Sequence, residues 1–244
     1  MIPTVLSVAG YDPSGGAGVL ADCKVFDAFG VHGQGVISAL TCQNERSFSS
    51  VTWRLWAEMQ AELDLLAQER SFAAVKIGLV QNAAMLSAIV QWVRQHFPTA
   101  FVVWDPVLKA SAGFAFHQVQ LRAEYLAAAK QIDLITPNSF EKQWLGAVAT
   151  NVLHKGGHES GAHSEDILYD VQGEVLGRFA APRLPSSKHG TGCMLSSAIA
   201  AGVAQGLSLV EAAAQGRAFM QALLNSGSGE LALVFSAKNS ILPL

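Results

Sequence analysis

Cys193 closes the segment His189-Gly190-Thr191-Gly192-Cys193, which stands immediately before an alanine-rich helical pattern. Glycines at that spacing let successive backbone N–H groups converge on one point, and the positive end of the helix dipole adds to them. Such an anion hole suits the charge on a transferring phosphoryl group. A cysteine at a helix N-terminus is expected to have a lowered pKa, so Cys193 could take a proton from a substrate hydroxyl. The plainer alternative is a glycine-rich helix start with an inert, buried cysteine.

A second glycine cluster, Gly10-Tyr11-Asp12-Pro13-Ser14-Gly15-Gly16-Ala17-Gly18, follows the first apolar run. Gly16, Gly18 and Ala21 satisfy a dinucleotide fingerprint formally, but the acid expected about 20 residues later is missing. Thr41-Cys42-Gln43-Asn44 stands there instead. The cluster therefore reads as a tight strand-to-helix turn or as a substrate loop, with Asp22 one turn into the helix. No Gly-x-x-x-x-Gly-Lys-Ser/Thr occurs, which excludes a P-loop. A third set is acidic and polar: Asp105, then Asn138 with Glu141, then Lys155. Mg²⁺ is held by few carboxylates, often through water, and Glu141 could serve so. Equally, Asn138 could be a helix N-cap and Glu141 a first-turn acid. Lys155 could meet phosphates as a point charge, or be a solvated loop lysine.

The elements that must hold these residues alternate along the chain. Residues 5–9, 35–40, 73–77, 101–104, 134–136 and 151–154 read as buried strands. Residues 16–29, 56–68, 83–97, 118–130 and 139–145 read as helices, and two more begin near Thr191 and Ser208. Residues 166–170 and 175–180 flank Gln172-Gly173 as a hairpin, and the segment after Ser226 has no clear pattern. Such alternation predicts an α/β fold with a mostly parallel central sheet and helices on both faces. In such sheets ligands bind beyond the carboxyl ends of the strands. Every segment singled out above falls at such an end.

Composition narrows the classes. Half of the 244 residues are hydrophobic and only 14% are charged, against about 25% in ordinary domains. A large interior, or surface hidden in an oligomer, is implied, and disorder is excluded. A net charge of −3 argues against nucleic acid as a partner. Cys23, Cys42 and Cys193 form neither a disulfide framework nor a zinc motif, which points to the cytoplasm. Met1-Ile2-Pro3-Thr4-Val5 lacks the marks of a signal peptide. The uncharged run 189–210 is long enough for a bilayer, but its glycines, serines and alanines predict a buried helix and no membrane contact. No linker or repeat stands out, so one domain over 1–244 is expected.

Taken together, the segments resemble the hydroxymethylpyrimidine and phosphomethylpyrimidine kinases of thiamine biosynthesis, within the ribokinase-like superfamily. The resemblance rests on Ala9-Gly10 with Asp12 through Gly18, Ala21-Asp22 with Lys24, and Ala39-Leu40-Thr41 with Gln43-Asn44. It continues through Lys76-Ile77-Gly78, Asp105-Pro106-Val107, Thr136-Pro137-Asn138 with Glu141, Lys155-Gly156-Gly157-His158 and the segment ending at Cys193. It implies a three-layer α/β/α kinase, a homodimer, that uses ATP and Mg²⁺. Asp22 and Gln43 would hydrogen-bond the aminopyrimidine, with Gly10 and the Val107 backbone nearby. Gly190, Thr191 and Gly192 would form the anion hole, and Cys193 would stand where sugar kinases carry a catalytic aspartate. Asp105, Asn138 and Lys155 would serve the nucleotide, and Glu141 would order Mg²⁺ through water. The family phosphorylates first a hydroxymethyl group and then the resulting monophosphate. A neutral alcohol must lose a proton during attack, whereas a phosphate monoester is already ionised, so a base matters more for the first step.

Three departures from the family pattern stand out. Tyr11 replaces a small residue, Lys109 is displaced by two places, and the stretch between Glu141 and Lys155 has room for one short helix and a strand only. The rival readings are a pyridoxal kinase, a non-catalytic pyrimidine-binding protein and, more distantly, a dinucleotide oxidoreductase.

Overall fold

A computed structural model describes residues 1–108, 122–157, 162–183 and 188–225. Lys109, the start of the helix expected over 118–130, His158 and the segment from Ser226 lie outside the described residues. The strands are β1 (Thr4–Tyr11), β2 (His32–Gln43), β3 (Phe48–Trp53), β4 (Phe72–Ile77), β5 (Phe101–Trp104), β6 (Leu134–Ile135), β7 (Asn151–His154), β8 (His163–Tyr169) and β9 (Val175–Pro182). The helices are α1 (Gly18–Ala28), α2 (Trp56–Glu69), α3 (Ala83–His96), α4 (Arg122–Ala129), α5 (Ser139–Leu145), α6 (Thr191–Ala204) and α7 (Leu209–Asn225).

One sheet runs β3-β2-β1-β4-β5-β6-β7-β8-β9. It is parallel from β2 through β7 and antiparallel at both ends. Side chains alternate across a strand, and this assigns each residue to a face. Leu6, Val8, Val75, Ile77, Val102 and Trp104 enter the core beneath α2, α3, α4 and α5. Val5, Ala74, Val103 and Leu134 enter the opposite core, beneath α1, α6 and α7. The same parity puts Ser7, Lys76, Asp105 and Thr136 on the α1/α6 side, so the polar residues of four adjacent strands share one face. The three layers are those expected from the alternation of elements.

α3 starts on Asn82, whose side chain accepts a bond from Met85 N at 2.9 Å, as an N-cap should. α6 is buried on nearly every side, from Met194 through Gly202. Its uncharged sequence therefore belongs to the protein interior, and no described helix is long and apolar enough to cross a membrane.

Among the differences from the sequence reading, two bear on the site. β3 was not anticipated: it is a half-exposed edge strand whose Ser49 and Ser50 break any apolar alternation. α1 begins at Gly18 rather than at residue 16. Gly18 has φ 63°, and a Cβ there would lie 2.0 Å from the Gly10 carbonyl oxygen, so the helix can start only after the chain has folded back on β1.

Candidate active site

The carboxyl ends of β1, β2, β4, β5, β6 and β7 carry, in order, the loop from Asp12, Gln43, Gly78, Asp105, Asn138 and Lys155. The N-terminus of α6 closes over this row. Gly190, at φ 81°, is the cap residue of α6 and offers no side-chain cap. A Cβ at Gly190 would lie 1.7 Å from Gly16 O, so only glycine lets this loop rest on the first one. An ordinary Ser or Asp cap would consume the first N–H groups of the helix. Here no side chain caps them. Lys155 stands beside them: a Cβ on Gly192 would be 3.1 Å from its Nζ.

Charges alternate beneath this loop. Lys155 Nζ lies 2.6 Å from Asp105 Oδ1, and Lys76 Nζ lies 2.7 Å from Asp22 Oδ2. Cys193 sits within the field of both pairs. Its thiol donates to Asp105, and Gly18 N–H donates to its sulfur. Although Cys193 keeps part of its surface exposed, burial pushes its thiol up to about 12, and Asp105 and Asp22 add to that against the pull of Lys76. This corrects the lowered pKa expected from the helix position. Desolvation and two nearby carboxylates outweigh the dipole, so the group is a thiol at neutral pH.

Asp22, expected at the substrate ring, is fully buried. Its oxygens accept from Lys76 twice, from Ser7 Oγ at 2.6 Å and from Ser197 Oγ at 2.7 Å. A carboxylate has about four acceptor positions, and all are occupied. Asp22 therefore supports the floor of the site from below.

The remaining residues stand at the strand ends. Gln43 ends β2, paired with Phe48 of β3, and its side chain is partly exposed. Gly10 packs against Leu79 at the end of β1. Val107 follows Asp105, and its N–H is turned back to the Asp105 carbonyl at 2.9 Å. Asn138 and Glu141 form a reciprocal capping box: Asn138 Oδ1 accepts from Glu141 N at 2.9 Å, and Glu141 Oε2 accepts from Asn138 N at 2.8 Å. The helix-cap alternative is thus realised in α5. Yet Glu141 is also a buried group of the site. Burial pushes its carboxyl up to about 7, Asp105 adds to the rise, and Lys155 and the Asn138 and Leu108 N–H groups oppose it.

No cluster of three or more His, Cys, Asp or Glu side chains suited to holding a metal occurs among the described residues. Lys155 faces both Glu141 and Asp105, and Lys76 also acts on Asp105. That donor set fits a hydrated Mg²⁺ held at the edge of Glu141, and does not fit a metal ligated by protein alone. The short stretch after α5 lies next to a groove of about 520 Å³, lined by Ser139, Lys142, Gln143, Gly146, Ala147 and His154. It flanks the row of strand ends and contains none of the groups above.

Two features escaped the sequence reading. Lys76 was seen only as part of a motif; a lysine inside an otherwise apolar strand was the signal that a buried acid must face it. The second is a bond between segments far apart in the chain: His189 Nε2 lies 2.8 Å from Asp12 Oδ2. No spacing rule relates these two positions.

Known proteins are similar to this chain in sequence and in fold. Residues 12–232 match the family described as phosphomethylpyrimidine kinase. A hydroxymethylpyrimidine/phosphomethylpyrimidine kinase of Rhizobium meliloti is 35% identical over 248 residues, covering 93% of this chain and 92% of that one. Its counterpart from Aquifex aeolicus is 33% identical, covering 91% and 94%. Among solved structures, a pyridoxal kinase from Staphylococcus aureus in complex with AMP-PCP superposes with TM-score 0.83 at 23% identity, over 94% of this chain and 90% of that one. A phosphomethylpyrimidine kinase from Clostridium difficile 630 gives 0.73 at 26%, over 90% and 98%. These likenesses place the three layers in the ribokinase-like fold. With its glycine-capped α6, its Lys155–Asp105 pair and this match along most of its length, the chain belongs to the phosphomethylpyrimidine kinase family.

Proposed function

We propose that this chain acts as one kinase domain, transferring the γ-phosphoryl group of ATP to a hydroxymethylpyrimidine, to its monophosphate, or to each in turn. The observation that carries the reading is the Lys155 ammonium standing beside Gly192 at the uncapped N-terminus of α6. Fixed donors at the place where negative charge develops are the main source of phosphoryl-transfer catalysis.

Each group has a part in that reaction. Gly190, Thr191 and Gly192 hold the transferring phosphoryl oxygens through backbone N–H groups. Lys155, kept charged by Asp105 despite its burial, draws the nucleotide phosphates toward them. Asn138 lines the nucleotide side. Gln43, Gly10 and the Val107 backbone face the pyrimidine. Mg²⁺, held through water near Glu141, would neutralise phosphate charge when bound. Cys193 handles the acceptor proton as a thiol: sulfur receives the hydroxyl proton while its own S–H proton passes to Asp105, and no free thiolate is needed.

Product analysis with ATP and 4-amino-5-hydroxymethyl-2-methylpyrimidine, resolving mono- from diphosphate, tests the reading. Formation of either product supports it. Binding of pyrimidine without turnover would favour a non-catalytic relative, and faster turnover of pyridoxal would favour a vitamin B6 kinase. The same reading includes a cytoplasmic homodimer. Its support is the three free cysteines and an exposed Leu40 beside the edge strand β3. Light scattering should give twice the 25.8 kDa chain mass.

A further inference from the structure

We propose that His189, held by Asp12, is a positioning residue that fixes the α6 anion hole over the first glycine loop and so aligns the acceptor with the phosphoryl group. The proposal rests on the kinase reading above and adds a part of the machinery that the reading does not use.

The argument begins with what α6 lacks. Gly190 caps the helix with no side chain, so its N–H groups stay available, but nothing in the cap itself fixes the direction in which they point. The fixing comes from the neighbouring residue. His189 has a side chain only 8% exposed, and Asp12 is 1% exposed. Their bond of 2.8 Å joins positions 177 residues apart. Asp12 also accepts from Ser14 N at 3.0 Å, Ser14 Oγ at 2.9 Å and Ala17 N at 2.9 Å. One carboxylate therefore shapes the first loop and holds the anion-hole loop to it.

The protonation states are consistent with a clamp. Burial pushes the Asp12 carboxyl up, but hydrogen bonds from His189 and Ser14 outweigh it and hold the group below its usual value. An ionised Asp12 requires a donor, so His189 presents N–H at Nε2. Its Nδ1 is then buried with no partner among the described residues. Natural structures rarely leave such an atom orphaned, and those that do tend to have a reason in function. A side chain chosen only for stability here would carry no second polar atom. Histidine offers a rigid donor whose direction is set by its ring, which a flexible lysine or a short serine cannot match. Misplacing reacting groups by about 1 Å costs on the order of 100-fold in rate.

The test separates alignment from substrate binding and from folding. In His189→Leu, kcat is expected to fall about 100-fold, while KM for pyrimidine and for MgATP stays within about threefold. His189→Gln, whose amide N–H reaches as far as Nε2, should recover to within about tenfold of wild type. Calorimetry supplies a readout apart from turnover. Pyrimidine affinity should be unchanged in His189→Leu, and affinity for MgADP with aluminium fluoride, a planar phosphoryl mimic, should drop about 100-fold. A kcat within threefold of wild type, or an equal loss of pyrimidine and mimic affinity, overturns the proposal. Should His189→Leu not fold, the same split is read on His189→Phe, which keeps a ring but no ring nitrogen and leaves the Asp12 oxygens free to accept from Ser14 and Ala17. Failure of both to fold would make the pair a strut and also overturn it. If the wild type yields no phosphorylated product, the kinase reading fails, while the mimic-binding arm still decides the clamp.

Discussion

Two buried ion pairs lie side by side under α6, and they differ in what surrounds them. Lys76–Asp22 is wholly enclosed, with both side chains 0% exposed and the acid's acceptor positions filled by Lys76, Ser7 and Ser197. Lys155–Asp105 is nearly as buried, at 12% and 3%, but it opens toward Gly192 and shares its acid with the Cys193 thiol. A charge with every partner inside the protein can only support; one with an unfilled side can act on a ligand. Burial alone does not distinguish them. The completeness of the hydrogen bonding does.

The difference can be broken most strongly at the closed pair. Lys76→Met leaves Asp22 charged and buried, and should cost about 3–5 kcal/mol in chemical denaturation. For a chain of this size that is about 10 °C in Tm. Adding Asp22→Leu should be milder than the single change, since the pair is replaced rather than broken. If Lys76→Met kept full stability, the strut assignment would fall. At the open pair the loss should appear in rate. Lys155→Met should lower kcat by about 10²–10³ and cost less than half as much stability as Lys76→Met, because water from the site can reach Asp105. Equal stability losses would erase the distinction.

Cys193 lies between the pairs and sharpens the comparison. Cys193→Ala should slow phosphorylation of the hydroxymethyl group about 100-fold and that of the monophosphate less than tenfold, because only the first acceptor must lose a proton. Equal loss of both activities would refute the proton role.

The smallest effect concerns Glu141. Its folded carboxyl is raised from 4.5 to about 7, so the fold favours the protonated form. That contribution is fully present below about pH 4.5 and is lost as pH rises through about 7. Stability of wild type relative to Glu141→Gln should therefore decline over that window, by at most about 1.4 kcal/mol per pH unit. MgATP should flatten the decline, because a nearby cation favours the carboxylate. A wild type that gains stability over the same window would contradict the sign.

The layers and most elements were legible in the sequence because each is encoded locally. β5, α5 and β7 have the bounds that their apolar runs, Asn138 cap and flanking glycines suggest. β3 was not legible, since an exposed edge strand needs no apolar alternation. At the site, the places of Gly190 and Lys155 follow from motif and chain order. The burial of Asp22 and its pairing with Lys76 do not. Their meaning depends on parity across two strands and on a helix packed above them, which no single window contains.

By itself, the sequence determined which residues reach the carboxyl ends of the strands and where glycine must open the backbone, because period, turn chemistry and chain order are local. Only the tertiary structure decided what those residues are once there. It made Asp22 a strut, left Lys155–Asp105 open, kept Cys193 a thiol and tied His189 to Asp12. The reason is physical: desolvation and Coulomb fields sum over neighbours brought together from across the chain, and a helix dipole counts as only one contribution among them.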